Sequence, residues 1–161
     1  MAILNLSPAA SLGDVRELLR RHREEGVVCP CCDQLAKSYW RKLYSRMARW
    51  LVWLMQEYEK RPRWLHVDEP GSLALRGPGG DHAKLLYWYL VESLPHHGVS
   101  SEKRDSGLWR PTASGMRFAK GEIRVPSHVH LYDGKLLGYS QETITIQDAL
   151  GEHYDYAELM A

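Results

Sequence analysis

Between residues 34 and 60 apolar side chains return at steps of three and four: Leu35, Tyr39, Leu43, Met47, Trp50 and Leu54. That spacing predicts one long amphipathic helix from Gln34 to Lys60, and Pro62 marks its end. A helix of this length must lay its apolar side on other elements, so the fold is expected to assemble around it. Its opposite side carries Lys37, Arg41, Lys42 and Arg49. A shorter helix is expected before it, capped by Ser11, presenting Leu12, Val15, Leu18 and Leu19 on one side and running to about Glu25, with Gly26 as its stop. A third is expected from Asp81 to about Leu94. It is apolar almost all round and should be buried. The Gly- and Pro-rich stretch 70–80 between them reads as a loop.

Beyond a polar loop at 96–106, the pattern changes to short elements. Gly107 to Pro111 reads as a strand and Ala113 to Lys120 as a short helix. Ile123 to Tyr132 and Lys135 to Tyr139 read as a hairpin, because Asp133-Gly134 supplies the positive φ of a two-residue turn. Thr143 to Ile146 adds a strand. The class is therefore α+β in one domain, 1–161: a helical part over about 11–94, a small β-hairpin and sheet part over about 107–146, and a tail of short helices over about 147–160.

At 161 residues, with 44% hydrophobic and 25% charged side chains, the chain can bury a core without disulfide staples. Lysine and arginine number 21 against 20 acidic residues, so nucleic acid or an anionic membrane needs a local basic patch, the net charge being only +1. Nine Tyr and six Trp stand against one Phe. Rings with polar tips suit half-buried and interfacial positions, which points to a contact surface. No apolar run has the length of a membrane helix, and the N-terminus has no leader pattern, so the expectation is a cytoplasmic protein without a membrane partner.

All the cysteines fall together, Cys29, Cys31 and Cys32, in the tight turn expected over Val27 to Asp33. Cys-Pro-x-Cys has the form of a zinc knuckle, in which a turn aims two thiolates at one ion. A structural Zn2+ needs four ligands, and His128 and His130, on one face of an expected strand, head the candidates for the balance. His66, His82, His96, His97 and Asp33 are the others. Unliganded thiols packed beside a helix start, or a redox pair, remain open.

Trp109-Arg110-x-Thr112-x-x-Gly115-x-x-Phe118, with the apolar helix and polar loop before it, resembles the helix–wing–helix region of winged-helix regulators, including the multiple-antibiotic-resistance-type repressors. The resemblance implies a winged-helix-like core. The helix at 81–94 would enter a DNA major groove, with Lys103 and Arg104 on the wing. For base readout that helix offers only Lys84 and His82, among Tyr87, Trp88 and Tyr89. The expected nucleic-acid contacts are thus Lys37, Arg41, Lys42, Arg49, Lys84, Lys103 and Arg104. A stripe of this kind can neutralise phosphates, or it can be simply a solvated helix face.

More broadly, the stretches CPCCDQLAKSYWRKL, LLYWYLVE, GLWRPTASGMRFAKGEIRVPSHVHLYDGKLLGYS and IQDALGEHYDYAELM resemble small proteins encoded by bacteriophages and prophages. The likeness runs from Cys29 to Met160. It implies viral origin, the host cytoplasm and an accessory role. No catalytic triad, paired-carboxylate motif, phosphate loop or dinucleotide fingerprint appears, and no small-molecule substrate is evident, so a binding protein is expected rather than an enzyme. Two readings stand: a nucleic-acid-binding regulator, and a protein that occupies or inhibits a host protein through an aromatic surface.

Overall fold

The computed structural model describes residues 6–95 and 105–161. The fold is mixed α+β, as the sequence leads one to expect, and it divides into two compact units. The first comprises Met1–Arg41 with His128–Tyr139, and the second Lys42–Ser127 with Ser140–Ala161.

The first unit begins with helix α1 (Leu12–His22). Ser11 and Asp14 close a reciprocal capping box: the Asp14 N–H donates to the Ser11 hydroxyl and the Ser11 N–H to the Asp14 carboxylate, at 3.2 and 2.8 Å. Gly26, at φ +89, donates to the His22 carbonyl and turns the chain into β1 (Val27–Val28). The cysteine turn follows, and β2 (Leu35–Ala36) returns antiparallel, with Val28 opposite Leu35. Next comes β3 (Tyr39–Lys42).

Here the expected long helix fails in its first third. The helix of the second unit, α2, spans only Ser45–Lys60, and Leu35–Ala36 and Tyr39–Lys42 are strands. The reason is arithmetic. Leu35, Tyr39 and Leu43 are four apart, and a step of four returns to the same side in a helix and in a strand alike. Only from Met47 onward do steps of three appear. There Met47, Trp50, Leu51, Leu54 and Met55 are all buried.

In the second unit β4 (Leu65–His66) follows α2, then α3 (Pro70–Leu75), a helix where a loop was expected. Proline at its first turn is pre-set for helical φ, and Gly71 lets α3 approach the Trp53 indole, which a Cβ there would meet at 2.3 Å. The buried Trp50 indole N–H donates to Ser72 at 2.9 Å. Asp81 to Leu94 is not a helix. A 3-10 stretch over Pro78–Trp88 ends at Tyr89, at φ 56, and the chain continues as β5 (Val91–Pro95). A continuous apolar run satisfies a buried strand as well as a buried helix, and pairing with β6 (Asp105–Pro111) decides it.

That sheet has the order β4-β6-β5. Its Trp109 meets Trp50 edge-to-face at 6.2 Å, and the buried His82 ring lies 4.9 Å from Trp50 and 5.4 Å from Trp109. Helix α4 (Ala113–Ala119) is capped by Thr112. Strand β7 (Val125–Pro126) leads to β8 (His128–Tyr132) and β9 (Lys135–Tyr139), which belong to the first unit. Asp133 and Gly134, at φ 48 and 68, make the expected hairpin turn. Between His130↔Gly138 and Leu131↔Leu136 the register shifts, leaving Leu137 as an extra residue in β9. β10 (Thr143–Ile144) pairs with β7, and α5 (Ile146–Leu150) and α6 (Tyr156–Met160) supply the expected helical tail.

Candidate nucleic-acid interface and cysteine turn

The sheet β3-β8-β9 gathers the side chains that stand out chemically in the first unit. β3 is its edge, and Tyr39, Trp40, Arg41 and Lys42 are all exposed. An edge strand open on both sides presents successive side chains alternately to two faces, so Trp40 shares a face with Lys42 and Tyr39 with Arg41. Trp40 is 56% exposed, yet it is not loose: its ring stacks on His130 at 4.5 Å with the planes only 5° apart. The His130 imidazole is itself held, its Nε2 lying 2.9 Å from the hydroxyl of the buried Ser38. Ser38 in turn donates its N–H to the Arg23 carbonyl at 2.8 Å. The Arg23 guanidinium lies over the Tyr132 ring, 5.6 Å from its centre. A shallow cleft of about 300 Å³ opens beside the stack, lined by Glu24, Ser38, Trp40 and His130. Across β8 from His130 stands Gly138, where even a Cβ would meet nothing within 4 Å.

Chemically this is a fixed flat ring with open surroundings, a carboxylate and a hydroxyl at its edge, and cations along its strand. Such a surface can take a planar heterocycle on the ring and a phosphate on the cations. Arg41 and Lys42 are the expected cations that the strand carries. Lys37, just before it, is half-buried, with its stem against Gly26. Several cations elsewhere are ion-paired: Arg20 and Arg21 with Glu17, Arg63 with Glu69, Arg76 with Asp68, Lys120 with Glu59. Among the described residues Lys37 and Lys42 make no ion pair.

The helical basic stripe does not exist as such. Lys37, Arg41 and Lys42 lie in or beside strands, whereas Arg49 sits half-buried on α2, its Nη1 buried without a hydrogen-bond partner among the described residues. Lys84 is half-buried in the 3-10 stretch. Lys103 and Arg104, and with them His96 and His97, lie outside the described residues. The string Trp109 to Phe118 has an architectural explanation at every position. Trp109 and Phe118 are core, Arg110 pairs with Glu92 and lies 4.4 Å over Trp64, and Thr112 caps α4. Gly115 leaves room for the Leu90 carbonyl.

In the cysteine turn the Cys29 N–H donates to the Gln34 carbonyl and the Asp33 N–H to the Cys29 carbonyl, at 2.8 and 2.9 Å. Asp33 holds φ 58 to close it. Cys31 and Cys32 are exposed and Cys29 is half-buried, so the thiols are not packed away as small apolar side chains. The Cys31 N–H, and after it the Cys32 side chain and N–H, hold the Cys29 thiol below its ordinary range. Desolvation and the neighbouring Cys29 charge push Cys31 up. His128 and His130 lie on β8, and among the described residues no group of three or more His, Cys, Asp or Glu is arranged to hold a metal ion.

Sequence reasoning found the cysteines and the strand cations, set Trp40 and Trp53 aside because on a helix they do not join the basic stripe, and did not single out Ser38. The signal was Tyr-Trp-Arg-Lys, which puts one aromatic and one cation on each face once the segment is a strand. No helix among the described residues is long and apolar enough to cross a membrane. Comparison with protein families, with characterised proteins and with solved structures finds no match.

Proposed function

We propose that this chain is an accessory nucleic-acid-binding protein that takes single strands on the sheet β3-β8-β9, a binding role rather than a catalytic one. The observation that carries the reading is Trp40, exposed on an edge strand yet held flat by His130, with Arg41 and Lys42 following it. Base stacking on a pre-set ring loses little side-chain entropy, and it tolerates any sequence because every base has a π-face. Glu24 and Ser38 at the cleft edge offer acceptors to an exocyclic amino group. Groove reading by a helix loses its support, since residues 81–94 form a 3-10 stretch and a strand. If the chain is phage-encoded, as its resemblance implies, the nucleic acid would be met in the host cytoplasm.

Fluorescence anisotropy with labelled single-stranded and duplex oligonucleotides tests the proposal. Trp40→Ala should weaken single-strand binding by about 1–3 kcal/mol, the range for one stacked base. Lys42→Ala should flatten the log–log salt dependence by about 0.7, one phosphate's share on a single strand. Absence of single-strand binding at low salt, or a Trp40→Ala variant that binds like the parent, would refute it.

A protein partner is the second reading. Leu137 and Tyr139 are exposed on β9, the other edge of the same sheet, and an edge strand can pair with a strand from a host protein. A lysate partner that survives nuclease treatment, and is lost on placing proline at an exposed β9 position, would favour it over nucleic acid.

A further inference from the structure

Stacking on Trp40 does not choose between bases, because each of them has a π-face. What chooses is the group that meets the base's edge, and here the Glu24 carboxylate shares one cleft with Ser38, Trp40 and His130. All of them belong to the first unit. At about 300 Å³ the cleft is at the small end of the range for ligand sites, a size for one base rather than a run of them.

The Glu24 backbone is fixed relative to the stack. The carbonyl that joins Arg23 to Glu24 accepts the Ser38 N–H at 2.8 Å, and Ser38 lies two residues before Trp40. The Ser38 hydroxyl lies 2.9 Å from His130 Nε2, and the His130 ring carries Trp40. On the other side of Glu24, the Gly26 N–H donates to the His22 carbonyl at 2.9 Å. The carboxylate therefore moves only on its own side-chain torsions. Glu24 is exposed, and among the described residues it makes no ion pair and no side-chain hydrogen bond. Helix stability does not account for an acid at this position. The last turn of α1 carries Arg20, Arg21 and His22, the sign of charge that this end favours, and a carboxylate just beyond it gains nothing from the helix dipole.

We infer that the base taken by this cleft is guanine, held flat on Trp40 with its N1–H and N2 amino group donating to the two oxygens of Glu24, an inference that rests on the single-strand reading of the sheet. An ionised carboxylate accepts and does not donate. Guanine is the base that turns two neighbouring donors to one side. Adenine and cytosine each set an amino group beside a ring nitrogen that accepts, and thymine sets its N–H between two carbonyl oxygens. Facing any of these, the carboxylate meets a lone pair, and that repulsion discriminates as much as the bonds to guanine do. Two charge-assisted bonds to one planar group also fix the base's rotation on the ring, which stacking leaves free.

The test uses the full chain at one salt concentration, with labelled oligothymidylates that differ at one central position. Anisotropy should show guanine there bound about tenfold more tightly than adenine, cytosine or thymine, within the range for a bidentate base contact. Inosine, which keeps N1–H and lacks the N2 amino group, should fall between guanine and adenine. Glu24→Gln offers one acceptor and one donor, so its preference should pass from guanine to adenine. Glu25→Gln, which removes the same charge one residue away, should keep the parent's order. Guanosine and adenosine monophosphate, titrated by calorimetry, separate the base from the strand that carries it. Preference for the guanine nucleotide without oligonucleotide binding would uphold the inference and remove the single-strand reading. Oligonucleotide binding that Trp40→Ala abolishes but that ignores the central base would do the reverse. Binding of neither strand nor nucleotide would overturn both. Equal binding of guanine and inosine, a Glu24→Gln variant that still prefers guanine, or a Glu25→Gln variant that loses the preference would each overturn the inference. The comparison of guanine with inosine needs only the unsubstituted chain, so it decides the matter even if a variant does not fold.

Discussion

Gly115→Ala isolates the reading of the Trp109 to Phe118 string as a structural junction. A Cβ at Gly115 would stand 1.8 Å from the Leu90 carbonyl oxygen and 2.8 Å from its carbon, where ordinary contact begins at 3.4 Å. The obstacle is backbone, so no side-chain rotation relieves it. α4 must back away from β5 by well over an ångström. That movement acts on the Thr112 N–H bond to Leu90 (3.1 Å) and on the Thr112 hydroxyl, which donates to Tyr89 at 2.6 Å and accepts from the Gly115 N–H at 3.0 Å. Overpacking costs about 1–3 kcal/mol, and one or two lost hydrogen bonds about 1 kcal/mol each, so the substitution should destabilise by about 2–5 kcal/mol. For a chain of this size that lowers Tm by roughly 10 °C. Gly138→Ala is the control: nothing lies within 4 Å of its Cβ, and its cost should stay within about 0.5 kcal/mol. Circular-dichroism melts and urea titrations of both variants read the difference. Equal stability of Gly115→Ala and the parent, or equal loss in the two variants, would refute the placement of α4 against β5.

Two further outcomes follow from single contacts. Ser72→Ala leaves the buried Trp50 indole N–H without its acceptor and should cost about 1–3 kcal/mol in a urea titration, whereas Ser72→Thr should recover part of it if the hydroxyl is what matters. The Arg63 guanidinium, with the His66 N–H behind it, holds the Glu69 carboxyl below the usual range, its folded pKa depressed relative to the unfolded chain. The stability this brings is therefore present above the ordinary carboxylate range and lost as pH falls through the folded value. Glu69→Gln should lose about 1 kcal/mol at neutral pH and converge with the parent in acid. A gap that persists at low pH would contradict the assignment.

The site was legible in part. Cys29, Cys31 and Cys32 announce themselves by proximity in sequence, and their turn is local. Trp40 does not, because its value comes from His130 and Ser38, and those two meet across 92 residues of chain. Arg41 and Lys42 were found as cations, but on the wrong element. Reading 35–42 as helix placed them in line with Arg49, which sits on α2 while they sit on a strand.

What the sequence alone determined lies within a few residues of its own cause. Ser11 capping through Asp14, the stop at Gly26, the Asp133-Gly134 turn and the Thr112 cap each need only neighbouring atoms. Tertiary structure decided wherever local periods were degenerate. Steps of four at Leu35, Tyr39 and Leu43 fit either secondary structure, and the run Leu85 to Val91 is apolar on every side. Backbone partners outside each segment decide both: β1 pairs with Leu35–Ala36 and the distant β8 with Tyr39–Lys42, and β6 takes Val91–Pro95 as strand while Leu85–Trp88 stays in the 3-10 stretch; no local propensity of a few tenths of a kcal/mol per residue outweighs a ladder of satisfied N–H and C=O groups.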